Sequence, residues 1–256
     1  MNESTSTSGN IPTNLRLLRV VEEIVRAAGP VTPTDVNQTL CLPKPTIHRL
    51  FATLEESGFI RRDVDGRRYM PGRRLRRMAG AVFSGERLHT ARLTILTRLA
   101  QEIGETCNFA APDGDAMLYI DRVETAWPLR IQLPVGTRVP LYCTASGKMF
   151  LSTLSERHLR SYLASSERAA RTPRSLIEAD ALTAELTLIR RRGFALDNEE
   201  FMEGMVAAAV PVKDAAGRLM STLSFHAPIQ RVGFAQAETH LPLLNTAARA
   251  LAELLD

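Results

Sequence analysis

The stretch Leu42–Gly58, LPKPTIHRLFATLEESG, decides how the first third of this chain reads. Ile47, Leu50, Phe51 and Leu54 stand at i, i+3, i+4 and i+7, which makes one buried stripe on a helix. Pro43 or Pro45 suits the first turn, where a missing N–H costs little. Gly58 stands just past the end, at the usual helix-closing position. The opposite face carries Lys44, Thr46, His48, Arg49 and Thr53, with Pro45 at its start. Such cationic and hydroxyl groups meet phosphates and base edges in a major groove.

The flanks make this more than a basic surface helix. Val31–Leu40 reads as a short helix capped by Thr32 or Thr34, with Val36 and Leu40 inward, and Cys41-Leu42 turn into the second helix. That is helix-turn-helix spacing. Downstream, Phe59–Arg62 and Arg67–Met70 read as short strands around the turn signal Asp65-Gly66. Helix, turn, helix and basic hairpin make a winged helix. A solvated basic helix is the plainer alternative, but three elements agree in order and length.

A chain of 256 residues has room for two domains. With 45% hydrophobic residues it has ample apolar content for a core. Its three cysteines, Cys41, Cys107 and Cys143, show neither a pairing pattern nor metal-ligand spacing. A reducing cytoplasm is the expectation, without cofactor or metal. No apolar run approaches the ~18 residues of a membrane span. Residues 1–12 read as a disordered polar tail rather than a signal peptide. Residues 1–80 hold 13 Lys/Arg against 8 Asp/Glu, and the remainder 19 against 20. The excess positive charge therefore travels with the helix-turn-helix pattern, as in a DNA-binding head on a body with another task.

Asn14–Ala28 is expected to be the first helix of the head, capped by Thr13 or Asn14, with Leu17, Val21, Ile24 and Ala28 as its stripe and Leu18 and Val25 beside it. The head thus spans 13–72. Residues 73–87 read as a linker helix, with Arg73, Arg74, Arg76 and Arg77 at its start and an apolar stripe that asks for a second subunit. From 88 to 256 the periods mix. Helices are expected over Leu88–Gly104, Thr144–Ser152, Ser155–Ala164, Glu178–Arg192 and Ala235–Leu255. Strands are expected over Thr106–Ala111, Ala116–Val123, Leu129–Leu133, Phe194–Asp197, Met205–Lys213 and Arg218–Phe225. Antiparallel hairpins mixed with helices indicate an α+β domain with one central sheet.

Three stretches resemble the IclR-type transcriptional regulators. The first is the winged helix itself. The second is Gly136–Lys148, GTRVPLYCTASGK, similar to the family's G-x-R-x-P-L-H-x-T-A-x-G-K. The third is Arg192–Glu200, RGFALDNEE, with Gly204, then Ala209-Val210-Pro211-Val212 and Asp214-x-x-Gly217. The resemblance implies a C-terminal GAF-like effector domain, a homodimer or homotetramer, a double-stranded DNA operator and a small-molecule effector, without catalysis. In the head it points to Lys44, Pro45, Thr46, His48, Arg49 and Thr53, with Arg67 and Arg68 of the wing, as DNA contacts. Carried over position by position, its effector residues are Ile131, Val139, Ala145, Ser146, Asp197, Met205, Ala207, Ser224 and His226. The chain departs from the common pattern at Tyr142, where the family has His, at Ala207, where many members have Cys, and at His226, which replaces a small hydroxyl residue.

Physical reasoning supports a pocket at the same place. Thr144-Ala145-Ser146-Gly147 opens a helix, so N–H groups and the positive dipole end favour a carboxylate. Strand alternation puts Ser224 and His226 on one face and Phe225 on the other. His226 can donate to a carboxylate or phenol, or bond backbone in the core. Asp197 can orient a ligand hydroxyl, or cap a strand end. Two rivals stand beside the regulator: a metal- or redox-responsive regulator, and an enzyme built on the C-terminal domain. No G-x-S-x-G, H-E-x-x-H, P-loop or G-x-G-x-x-G supports an enzyme. Five His and three Cys without chelating spacing do not support a metal.

Overall fold

The computed structural model describes residues 11–27, 29–63, 66–83, 86–128 and 132–255. The chain divides into two compact units, Met1–Gly85 and Glu86–Asp256.

The N-terminal unit packs three helices and a hairpin. A 3-10 turn over Thr13–Leu15 leads into α1 (Arg16–Arg26). No side chain caps either start; instead Arg16 Nε donates to the Ile11 carbonyl. The expected Thr13 or Asn14 cap therefore does not form. Val20 and Ile24 are buried, Leu17 and Val21 only half, and Leu18 and Val25 are exposed. The buried stripe is thus rotated toward Val20; Ala28 lies outside the described residues.

Helix α2 (Pro33–Leu40) starts on Thr32, which forms a reciprocal capping box with Asp35. Cys41 ends it in the left-handed region, φ 50°. That costly conformation is held by Asn37, whose side chain donates to the Leu42 carbonyl (2.8 Å) and accepts from the Leu42 N–H (2.9 Å). Helix α3 (Lys44–Glu56) buries Ile47, Phe51 and Leu54, with Leu50 half-buried. Pro43 is its N-cap and Pro45 stands in the first turn.

Strands β1 (Ile60–Arg62) and β2 (Tyr69–Pro71) pair antiparallel, and Tyr69 also bridges Val31. Arg67 and Arg68 belong to the connecting loop rather than to a strand: the Asp63 N–H to Arg68 carbonyl bond lies beyond the last paired residues. Asp65 of the expected turn lies outside the described residues. Gly72 follows β2 because nothing larger fits: a Cβ there would stand 2.4 Å from the Gly58 carbonyl oxygen. Helix α4 (Arg73–Phe83) completes the unit, with Leu75 half-buried and Met78 exposed.

The C-terminal unit is one six-stranded antiparallel sheet between two helical layers. Its strands are β3 (Thr106–Asp113), β4 (Ala116–Val123), β5 (Arg138–Pro140), β6 (Ala195–Asn198), β7 (Met205–Lys213) and β8 (Leu219–Pro228), in the order β5-β4-β3-β8-β7-β6. Of the strand expected at Leu129–Leu133, residues 129–131 lie outside the described residues and 132–133 are not extended pairs; the edge strand is Arg138–Pro140.

Strand alternation sorts the side chains. Val206, Val210, Leu223 and Phe225 face α5 (Glu86–Ile103), and join Leu96, Leu99, Leu244 and Leu251 in one core. Leu244 and Leu251 come from α9 (Leu241–Leu255), which follows a 3-10 stretch, Phe234–His240, so the last helix begins later than its apolar period suggests. The other face is covered by α6 (Ala145–Thr153), α7 (Glu156–Ser165) and α8 (Ala179–Arg192), with Met117, Tyr119, Met149, Leu182 and Leu186 as a second core. The functional candidates of this unit lie on that second face.

Candidate DNA-reading helix and effector site

Lys44, Pro45, His48, Arg49 and Thr53 are exposed along α3, and Thr46 is half-buried. Thr53 Oγ1 already donates to the Arg49 carbonyl (3.0 Å), which leaves its lone pairs outward. Lys44 and His48 line a groove of about 320 Å³ with Thr34, Asn37 and Gln38 of α2. On the wing, Arg67 is exposed and Arg68 half-buried. The arginines of α4 divide. Arg74 lies over the Phe59 ring and Arg76 donates to the Pro71 carbonyl (3.0 Å), so both tie α4 to the hairpin. Arg73 and Arg77 are exposed.

In the C-terminal unit the register builds rows across the second face. Asp197 opposes Ala207, Ala207 opposes His226, and His226 opposes Thr106. The next row runs Ala195, Ala209, Ser224, Asn108, Arg122. Helix α6 packs over β6, β7 and β8 and reaches β3 and β4, which brings Ala145 and Ser146 to this face. Met205 stands one pleat from Ala207 on the same side. Val139 lies on the opposite edge strand and belongs to the same buried apolar cluster as Ala145 and Ala207. Ile131 lies outside the described residues.

The electrostatics are dominated by burial. His226 is pushed down to about 3, first by desolvation and then by the nearby Arg122 charge, so its ring is neutral. Its Nε2 lies 3.3 Å from Tyr119 Oη, whose own proton is held tightly by burial. Asp197 is pushed up to about 7, first by burial and then by Glu200; Lys148 offsets part of this. Its Oδ1 accepts from the Glu200 N–H (2.7 Å) and the Phe201 N–H (3.4 Å), which is the strand-end cap role. Lys148 is buried in an ion pair with Glu200, and Glu185 stands 3.9 Å away. Cys143 is buried and its thiol is pushed up to about 12 by desolvation, which leaves it a poor nucleophile.

Thr144 caps α6 by accepting from the Gly147 N–H (3.1 Å). Gly147 has no side chain because a Cβ would stand 2.4 Å from Leu141 Cα. The small residue lets α6 close onto the loop behind it. Five buried side-chain atoms have no hydrogen-bond partner among the described residues, and three of them belong to this face: Asn108 Nδ2, Ser146 Oγ and Ser224 Oγ. Each such orphan costs about 1–3 kcal/mol, so three together mark a place prepared for polar contact. Asn108 and Tyr119 escaped the sequence reading. Alternation in Thr106–Ala110 puts Thr106 and Asn108 on one side, and a polar residue in so apolar a strand was the available signal.

Two family models cover this architecture: the IclR helix-turn-helix domain matches residues 15–64, and the bacterial transcriptional regulator IclR C-terminal region matches 81–253. The chain belongs to the IclR family. Among its relatives, the probable transcriptional regulator SauR of Cupriavidus necator is 38% identical over 234 residues, 91% of this chain and 93% of SauR. The crystal structure of Thermotoga maritima IclR matches with a TM-score of 0.63 at 28% identity, over 95% of this chain and 98% of that one. An IclR homologue from Microbacterium hydrocarbonoxydans, solved with 4-hydroxybenzoate, matches with a TM-score of 0.60 at 23% identity, over 94% and 98% of the two chains, and speaks for the fold alone. This IclR-family protein is therefore a transcriptional regulator with a DNA-binding helix-turn-helix and a C-terminal effector domain, not an enzyme. No helix among the described residues is long and apolar enough to cross a membrane.

Proposed function

We propose that this regulator reads a roughly palindromic operator in the cytoplasm as a homodimer or homotetramer, and that a small carboxylic acid bound in the C-terminal unit modulates that binding. Residues 13–72 form the reading head, 73–87 the linker and 88–256 the sensor. Lys44, Pro45, Thr46, His48, Arg49 and Thr53 approach base edges, and Arg67 and Arg68 the backbone or minor groove. The half-exposed apolar side of α4 at Leu75 and Met78 fits a subunit contact.

The observation that carries the sensor reading is the pair of unpartnered buried hydroxyls, Ser146 and Ser224, beside a neutral imidazole. The effector set is Val139, Ala145, Ser146, Asp197, Met205, Ala207, Ser224 and His226, with Ile131. The fold accommodates a carboxylate in at least one relative, the homologue solved with 4-hydroxybenzoate. Ligand binding shifts the population of head arrangements.

Calorimetry and gel shift test this together. Ser146→Ala and His226→Ala should each weaken binding of an acid found by thermal-shift screening by about tenfold, the loss of one hydrogen bond to a charged group. The ligand-free melting temperature of Ser146→Ala should hold, while His226→Ala, which empties a buried site beside Tyr119, should melt lower. Arg49→Ala should lower specific operator binding by about 1–3 kcal/mol and relax specificity. Unchanged acid affinity in both alanine variants, or a gel shift indifferent to every acid, would reject the sensor assignment.

A further inference from the structure

We propose that Asn108 recognises the anionic end of the effector and sets its direction in the site, with Arg122 as the residue that positions it. This rests on the acid-sensing reading above and deepens it.

Asn108 is fully buried on β3. Arg122 Nη1 donates to its Oδ1 at 2.7 Å. A guanidinium has only donors, so the amide oxygen must face Arg122 and the NH2 must face away. Nδ2 then has no acceptor among the described residues. Its cross-strand neighbour on the same face is Ser224, whose Oγ is also unpartnered. Directly opposed side chains stand about 4.5–5.5 Å apart at Cβ. Ser146 Oγ, from the helix laid over this face, is the third. The two hydroxyls can donate or accept, but the Asn108 amide nitrogen can only donate. What satisfies all three is an acceptor-rich group, and a carboxylate offers about four lone-pair sites.

Charge gives the direction. Arg122, its side chain buried, stands behind Asn108 and pairs through Nε with Glu124 (3.1 Å), so its charge is partly offset while Nη1 fixes the Asn108 amide. Asp197 lies on β6, three strands from β3, about 14 Å across the sheet at ~4.8 Å per strand. A carboxylate directed there would meet a second carboxyl group. The acid end therefore points to Asn108, Ser224 and Ser146, and a hydroxyl or similar donor on the far end of an apolar spacer points to Asp197. Ala207, Met205 and Tyr119 supply small and apolar surface between them.

The test uses the full chain, titrated calorimetrically with 4-hydroxybenzoate and with 4-hydroxybenzamide, which replaces one acceptor oxygen by a donor. The wild type should prefer the acid. Asn108→Asp keeps the shape and the Arg122 contact but turns the free donor into an acceptor. It should weaken the acid by about tenfold or more and erase or reverse the preference over the amide. Asn108→Ala should weaken the acid without favouring the amide. Arg122→Met should reduce the acid preference by freeing the amide to rotate, and Arg122→Lys, which keeps a donor, should recover it. An Asn108→Asp variant with undiminished acid preference overturns this inference alone, provided Ser146→Ala or His226→Ala weakens the acid. An Arg122→Met variant with wild-type preference overturns the positioning role. A wild type that binds neither probe overturns the hydroxy-acid class, while the acid-sensing reading falls only if the gel shift is indifferent to every acid.

Discussion

In the N-terminal unit the groups offered to a partner stand at the surface: Lys44, Pro45, His48, Arg49 and Thr53 are exposed on one helix. In the C-terminal unit the proposed effector contacts are buried: Asn108, Ser146, Ser224, Asp197 and His226 come from four elements, β8 supplying two, and are each at most 6% exposed. A duplex is met by exposed basic side chains, and such binding is dominated by phosphate charge. A small molecule is recognised by polar groups that a fold must desolvate in advance. The first arrangement costs little stability. The second stores unsatisfied and shifted groups in the core, and the surrounding ion pairs must hold them.

The sharpest way to expose that difference is to remove the buried cation. Lys148, 1% exposed, faces Glu200, whose carboxyl is raised by burial and held down by Lys148. Lys148→Met leaves that carboxylate buried and alone, at a cost of about 3–5 kcal/mol. Calorimetric melting should show the C-terminal transition falling and the N-terminal one in place. Adding Glu200→Leu should recover most of the loss. A single-variant loss within ±0.5 kcal/mol, the range of an ordinary surface change, would mean the pair is solvated.

Glycine substitutions compare the two units on equal terms. Gly72 and Gly147 each stand where a Cβ would be 2.4 Å from backbone, of Gly58 in one case and Leu141 in the other. Gly72→Ala and Gly147→Ala should each cost about 1–3 kcal/mol as overpacking. Gly72→Ala should impair operator binding and leave acid binding intact, and Gly147→Ala should do the reverse. If either change impaired both activities equally, the units would not fold as separate cooperative bodies.

Legibility followed the same divide. The helix-turn-helix was readable because its signals are local: the stripe Ile47, Phe51, Leu54, the Thr32 cap and the terminal Gly58 all act within a few residues. What failed there was fine register. Val20 is buried where Leu17, expected inward, is only half-buried against the same core. In the sensor, Asp197, Ser146, Ser224 and His226 were legible through the family resemblance, and strand alternation added that Ser224 and His226 share a face. Asn108 and Tyr119 were not found, because what makes them matter is pairing over long sequence separations: Asn108 with Ser224, and Tyr119 with His226 107 residues away.

The smallest expected effect is also the most diagnostic of how the sensor lining is held. Asp197 and His226 flank Ala207 in one row of the sheet and are shifted in opposite senses. Asp197 is raised from 3.8 to about 7, so its contribution is full below the unfolded value and is lost as pH rises toward 7. His226 is lowered from 6.5 to about 3, so its contribution is full above 6.5 and is lost as pH falls toward 3. Between about pH 4 and 6.5 the two slopes, each about 1.4 kcal/mol per pH unit, oppose one another. His226→Gln should uncover the aspartate, and stability relative to wild type should fall as pH rises through that window. Asp197→Asn keeps an oxygen for the Glu200 and Phe201 N–H groups, uncovers the histidine, and should make relative stability rise with pH. Carboxylates other than the coupled Glu200 contribute alike to all three proteins and cancel in the difference. Denaturant titrations at several pH values would measure both slopes. Parallel curves for the three proteins would mean that neither group is desolvated by the fold, and the contrast between an exposed reading surface and a buried sensing one would lose its electrostatic basis.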